Sequence, residues 1–165
     1  VKNVADISIE DIKELMVLFA NFIRDESRMT FWKVLDGKKH SWTPSPEKHG
    51  QNLLHTFIKA KYGDDVEVFE EISTGAGRID LYICFSNGFK AVIELKMCGH
   101  GYSSGYSIEG IEQINHYLNS KKLHIGFLLV FDSRSRDNAK GIDDVYHIDD
   151  KVIYSFIADV RPLVK

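Results

Sequence analysis

Residues 75–96 read GAGRIDLYICFSNGFKAVIELK, and the register of this stretch decides the fold. Arg78–Phe85 and Phe89–Met97 are two apolar runs rich in β-branched and aromatic residues, and Ser86-Asn87-Gly88 separates them as a hairpin turn would. Side chains alternate between faces along a strand, so burying Ile79, Leu81, Ile83 and Phe85 with Phe89, Ala91, Ile93 and Leu95 requires Phe85 opposite Phe89. A three-residue loop results, ending in Gly88 where a left-handed residue is expected. The same register sets Asp80 opposite Glu94 and Arg78 opposite Lys96, on the other face with Tyr82 and Cys84. A two-residue Asn-Gly loop would put one carboxylate in the apolar layer, at a cost of roughly several kcal/mol.

Outward from this hairpin the periodicity predicts one mixed α/β domain. Ser8 caps a helix over 9–27 whose apolar stripe is Ile12, Leu15, Met16, Phe19, Phe22 and Ile23. Residues 29–46 break into aromatics, lysines and prolines and read as a loop or linker. Pro46 opens a second helix ending near Gly63. Strands follow at Val66–Ile72 and in the two hairpin runs, with Gly75-Ala76-Gly77 as a tight turn between them. Ser107 starts a helix to about Ser120, Leu123–Phe131 is an apolar strand buried on both faces, and Val145–Ile148 with Val152–Ala158 forms a closing hairpin. We divide the chain into an N-terminal helix and linker, 1–45, serving packing or oligomerisation, and a domain over 46–165.

The chain has 165 residues, 44% apolar and 27% charged, enough for one core that removes roughly 70% of the unfolded surface from water. No run reaches the roughly 20 apolar residues of a membrane span. Two cysteines are too few for a disulfide scaffold, so a reducing, cytoplasmic setting is expected. The opening Val1 fits Met removal or a domain cut from a longer chain. The net charge of −3 and pI of 6.2 argue against a broad phosphate-binding surface, although Lys38-Lys39-His40 and Lys121-Lys122 are local basic clusters.

Two carboxylates across a ladder repel each other, and a cation between them removes the penalty. Mg²⁺ takes oxygen ligands, so Asp80, Glu94 and the backbone carbonyl of Leu95 make a candidate corner for Mg²⁺ or Mn²⁺. Lys96, kept protonated by these neighbours, suits stabilisation of charge on a phosphoryl group or positioning of water. Gln113 and Tyr117 lie one helical turn apart and can reach the same groove edge.

Gly77-Arg78-Ile79-Asp80, Glu94-Leu95-Lys96 and Gln113-Ile114-Asn115-His116-Tyr117 together resemble the PD-(D/E)XK nuclease superfamily, in particular its RecB-like branch with a QxxxY helix. The similarity covers roughly Pro46 to Phe131, and its details resemble nuclease-like domains C-terminal to ATPase-like domains. It implies a restriction-endonuclease-like αβββαβ core, here with an added N-terminal helix and a C-terminal β-hairpin. It further implies divalent-metal-dependent cleavage of phosphodiesters by an endonuclease, with Asp80, Glu94, Lys96, Gln113 and Tyr117 as site residues. Nucleic acid, DNA ahead of RNA, is the implied partner, with a second copy of the chain and an ATPase-like domain in a longer chain as further associations. Such domains often carry a Glu on the first core helix; Gln51 aligns best here, with Glu47 the nearest carboxylate, and Arg78 is a third auxiliary residue. The alternative is a nuclease-derived nucleic-acid-binding or protein-interaction module with little or no catalysis.

Other motifs carry less. Gly101-Tyr102-Ser103-Ser104-Gly105 matches GxSxG but does not follow a strand directly, so a glycine-rich lid is preferred to a nucleophile elbow. Cys84, Cys98 and His100 lack a fourth zinc ligand. Lys121 and Lys122 are read either as phosphate contacts or as charges complementing a helix C-terminus.

Overall fold

The computed structural model describes residues 6–75 and 77–163, so the turn at Ala76 lies outside the described residues, as does Val1. Ser8 opens α1 (Ile9–Phe22), its own N–H donating to Asp11 Oδ2 at 2.8 Å. The helix runs on through a π-helical turn, Ile23–Ser27, and a 3₁₀ turn, Arg28–Phe31. Residues 29–46, expected as a loop or linker, instead carry β1 (Trp32–Val34) paired antiparallel with β2 (His40–Trp42). The aromatic content explains this: Trp32 and Trp42 stack at 4.0 Å across the pair, and Trp32 Nε1 donates to the carbonyl of Val160 at 2.7 Å.

α2 (Pro46–Tyr62) begins at its proline, and β3 (Val66–Thr74), β4 (Gly77–Phe85) and β5 (Lys90–Cys98) follow as an antiparallel meander. α3 (Ser104–Lys121) crosses over to β6 (Ile125–Asp132), which lies parallel to β5. In the closing hairpin, β7 (Val145–Ile148) is outermost and β8 (Lys151–Asp159) inserts parallel to β6. The mixed sheet has the order β3-β4-β5-β6-β8-β7. The protein is therefore an α/β domain with helices on both faces of one mixed sheet.

α1 packs over β8 and α2 over β5 and β3, while α3 covers β4, β5 and β6 from the other side. Each layer has its own apolar cluster. The first joins Ile12, Phe19, Phe31, Leu54 and Ile58 to the sheet residues Leu81, Ile93 and Phe127, so the described residues before α2 share one core with the rest. The second joins Ile111, Ile114 and Leu118 of α3 to Val92, Leu128 and Val130. β6 feeds both clusters by alternation, as expected of a strand buried on two faces. Each such side chain taken out of water contributes about 1.5–3 kcal/mol before entropy is counted. No helix among the described residues is long and apolar enough to cross a membrane.

Candidate active site

The β4–β5 hairpin has the expected turn. Phe85 N–H donates to the carbonyl of Phe89 at 2.8 Å, Gly88 N–H donates to that of Phe85 at 2.9 Å, and Gly88 has φ 92°. The ladder then runs from Cys84↔Lys90 to Leu81↔Ile93. Beyond that point carboxylates take over from backbone pairing. Asp80 N–H donates to Glu94 Oε1 at 3.1 Å, and Leu95 N–H donates to Asp80 Oδ2 at 2.8 Å. Asp80 and Glu94 are thus side by side, each carboxylate held by an amide of the opposite strand.

On its other edge β4 shows the same break. Glu70 pairs with Leu81 and Ile72 with Ile79, but the intervening Glu71–Asp80 position drops out, and Glu71 has φ 53°. Both strands change faces there. Leu81 and Ile83 pack in the first cluster, whereas Ile79 lies in the second with Ile72 against it. The expectation that Ile79 shares a face with Leu81, Ile83 and Phe85 is therefore corrected: alternation presumes an unbroken ladder. The rotated arm also carries Arg78 to Glu71, at 3.1 Å, where it lines the same cleft as Asp80 and Glu47.

Glu94 and Lys96 face α3. A Cβ placed on Gly110 would stand 2.7 Å from Leu128 Cδ1 and 3.1 Å from Lys96 Cγ, so a larger residue here would force the sheet side chains to shift for the helix to lie this close. Glu94 is 3% exposed and Lys96 7%. Burial, followed by the hydrogen bond and charge of Asp80, holds the Glu94 carboxyl far above the usual carboxylate range, and Lys96 offsets only part of this. The Lys96 ammonium lies 4.3 Å from the centre of the Tyr106 ring, a cation–π contact.

From the other side, the first turn of α2 brings in Glu47. Its Oε1 accepts from Tyr106 Oη at 2.5 Å and from Met97 N–H at 3.3 Å. Burial raises the Glu47 carboxyl, opposed by the Tyr106 hydrogen bond and by the charge of Lys96. Gln51, one turn further along α2, is buried, and its Nε2 has no hydrogen-bond partner. A cleft of about 220 Å³ opens here, lined by Pro46, Glu47, Lys48, Gln51, Asp80 and Tyr102. Ser45 and Glu71, both left-handed without being glycine, stand at its rim.

Other expected residues fall elsewhere. Tyr117 packs edge-on against Tyr82 at 5.9 Å inside the second cluster, where burial pushes its phenol up to about 12. Gln113 sits between it and Gly110 along the helix, with Oε1 buried and unpartnered, so the two do not share an open groove edge. Lys121 and Lys122 are at the opposite end of α3 from Lys96, with Lys122 as its left-handed C-cap, and make no part of the cleft. The expected glycine-rich lid is instead the start of α3: Ser103 caps the helix, accepting from Tyr106 N–H at 3.0 Å, and Gly99 and Tyr102 exchange backbone bonds. Cys84 pairs with Lys90, eight residues along β5 from buried Cys98, and His100 bonds Ser133, so the three make no zinc site.

Tyr106 lies just before the helix start expected at Ser107, because α3 begins at Ser104. The signal for it is Ser103, a hydroxyl residue suited to an N-cap, which places Tyr106 in the first turn. For a divalent ion the donor set fits in kind, with two adjacent carboxylates and the Leu95 carbonyl, which faces β4 as its amide does. Among the described residues no group of three or more His, Cys, Asp or Glu stands at metal-holding spacing.

The profile of DUF8371, a domain of unknown function, matches residues 8–135, more than half of the chain, and the chain belongs to that family. The match spans α1 to β6 and every residue of the cleft. No curated protein and no solved structure matches the chain.

Proposed function

We propose that this member of the DUF8371 family is a divalent-metal-dependent nuclease that hydrolyses nucleic-acid phosphodiester bonds, DNA ahead of RNA. The observation that carries the reading is the Asp80–Glu94 pair. The two carboxylates stand side by side, each accepting from an amide of the opposite strand, and the buried Lys96 ammonium stands beside them. A structural ion pair would not need a second carboxylate in the same corner.

Asp80, Glu94 and the Leu95 carbonyl would hold Mg²⁺ or Mn²⁺. Such an ion, when bound, polarises a phosphodiester and lowers the pKa of a bound water. Lys96 has a different task. Fixed over the Tyr106 ring and balanced by Glu47, it presents positive charge where negative charge grows on the phosphoryl oxygens. Glu47 supplies the acidic group expected on the first core helix, one turn before Gln51, while the Gln51 amide offers a donor to the cleft.

The test is incubation of the full chain with labelled DNA and RNA, with and without Mg²⁺ or Mn²⁺, beside Asp80→Ala and Lys96→Ala. Cleavage that needs the ion and both side chains supports the reading; equal behaviour of all three proteins overturns it. A second reading, a nuclease-derived binding module without catalysis, is favoured by one observation. Asp80 and Glu94 are closed onto backbone amides, an arrangement stable without metal. Calorimetry separates the two, since a binding module need take up no Mn²⁺.

A further inference from the structure

We infer that the site is fed by an unpaired nucleic-acid strand lying over the aromatic rings of the β1–β2 hairpin and of the start of α3. The inference rests on the nuclease reading of the Asp80–Glu94 corner and adds the substrate class. Five rings and one ammonium form an unbroken chain. Trp32 stacks on Trp42 at 4.0 Å and 18°, with His100 edge-on to both. Trp42 meets Tyr102 at 6.3 Å, Tyr102 meets Tyr106 at 5.1 Å, and Tyr106 lies under Lys96. The last two rings belong to the site itself, because Tyr102 lines the cleft with Asp80 and Tyr106 bonds Glu47.

These rings are held rigidly. Trp32 Nε1 is tied to the carbonyl of Val160, and Trp42 Nε1 donates to that of His100 at 3.1 Å. Trp42, Tyr102 and Tyr106 are each half-buried at the margin of the first cluster, and Trp32 is buried behind Trp42. His40 shares the face of the two tryptophans, edge-on to Trp32 at 6.3 Å, while exposed Lys33 stands on the other face of the hairpin and exposed Lys39 and Asp36 lie at its turn. In a chain of net charge −3 this is a local positive approach beside stacking surfaces. Bases have apolar faces and a strand has phosphates, so the combination fits a single strand; a duplex hides its base faces.

The experiment measures binding of the full chain to labelled oligothymidylate, oligouridylate and a blunt duplex of equal length, by anisotropy in EDTA, where nothing is cut. The expected result is single-strand affinity at least about tenfold above duplex affinity, lowered about fivefold or more by Trp42→Leu and by Tyr102→Leu. The thymidylate and uridylate arms tell a DNA strand from an RNA strand. Because Trp42 also braces the hairpin, Tyr102→Leu is the deciding variant, with thermal melting as its control. Half-buried Trp42 lies in the path and buried Trp32 stacks behind it, so intrinsic emission should change with the single strand and not with the duplex. Equal affinity for duplex, or wild-type binding by a folded Tyr102→Leu, overturns the inference. If cleavage with Mn²⁺ persists in that case, the nuclease reading survives alone. Aromatic-dependent strand binding without any cleavage leaves the path standing and removes the nuclease reading.

Discussion

The two halves of the β4–β5 hairpin are built on opposite terms. Near the turn, Leu81, Ile83 and Phe85 meet Phe89, Ala91 and Ile93 in a regular ladder with one apolar face. Past Leu81↔Ile93, carboxylates replace backbone partners, β4 changes faces while β5 keeps its alternation, and a lysine and two acids share a buried corner. One half is arranged for stability, and the other tolerates repulsion that the first must hold in place. This division is what a chemical site on a rigid scaffold requires.

Four substitutions sharpen the contrast, beginning with the largest effect. Ile83→Ala in the regular half should cost about 2–5 kcal/mol of stability, read by denaturant unfolding. Wild-type stability in that variant would mean the ladder is not the support. Lys96→Ala in the open half should lose about 100- to 1,000-fold in cleavage rate, with melting little lowered. A loss of folding equal to the loss of rate would make Lys96 structural.

Glu94→Gln should stabilise the metal-free protein at pH 7–8 by at least about 1 kcal/mol, one pKa unit being worth 1.36. The sign follows from linkage. Folded Glu94 keeps a proton that the unfolded chain releases, so its contribution is intact below the ordinary carboxylate range and is lost as pH rises above it. Metal-free wild type should therefore melt at lower temperature as pH is raised through neutrality, and the Gln variant should flatten that slope. Parallel slopes would contradict the shared proton. Smallest is Gly88→Ala, which has open space for its Cβ but a φ of 92°, and should cost about 1 kcal/mol by urea unfolding.

How far the sequence reached follows the same division. Periodicity located the helices, the strands and the hairpin turn because apolar burial fixes them, and the pairing of Asp80 with Glu94 came with that register. The loss of the Glu71–Asp80 pair had no such signal. Nothing in Glu70-Glu71-Ile72 announces a left-handed residue, so the swing of Ile79 and Arg78 was not legible. Tyr117 has helical spacing from Gln113, but spacing does not reveal that Tyr82 closes over it. The β1–β2 pair is anchored by the bond of Trp32 to Val160, 128 residues further along the chain, which local propensity does not encode.

The insertion of β8 beside β6 sets a practical limit on shortening this protein. The family match ends at residue 135, yet the strand that closes the flank of β6 is Lys151–Asp159, and Trp32 is anchored to Val160. A fragment trimmed to the matched segment would bare Phe127, Leu129 and Phe131 along a raw edge and invite clumping through strand addition. Work on isolated domains of this kind should keep the residues through 160.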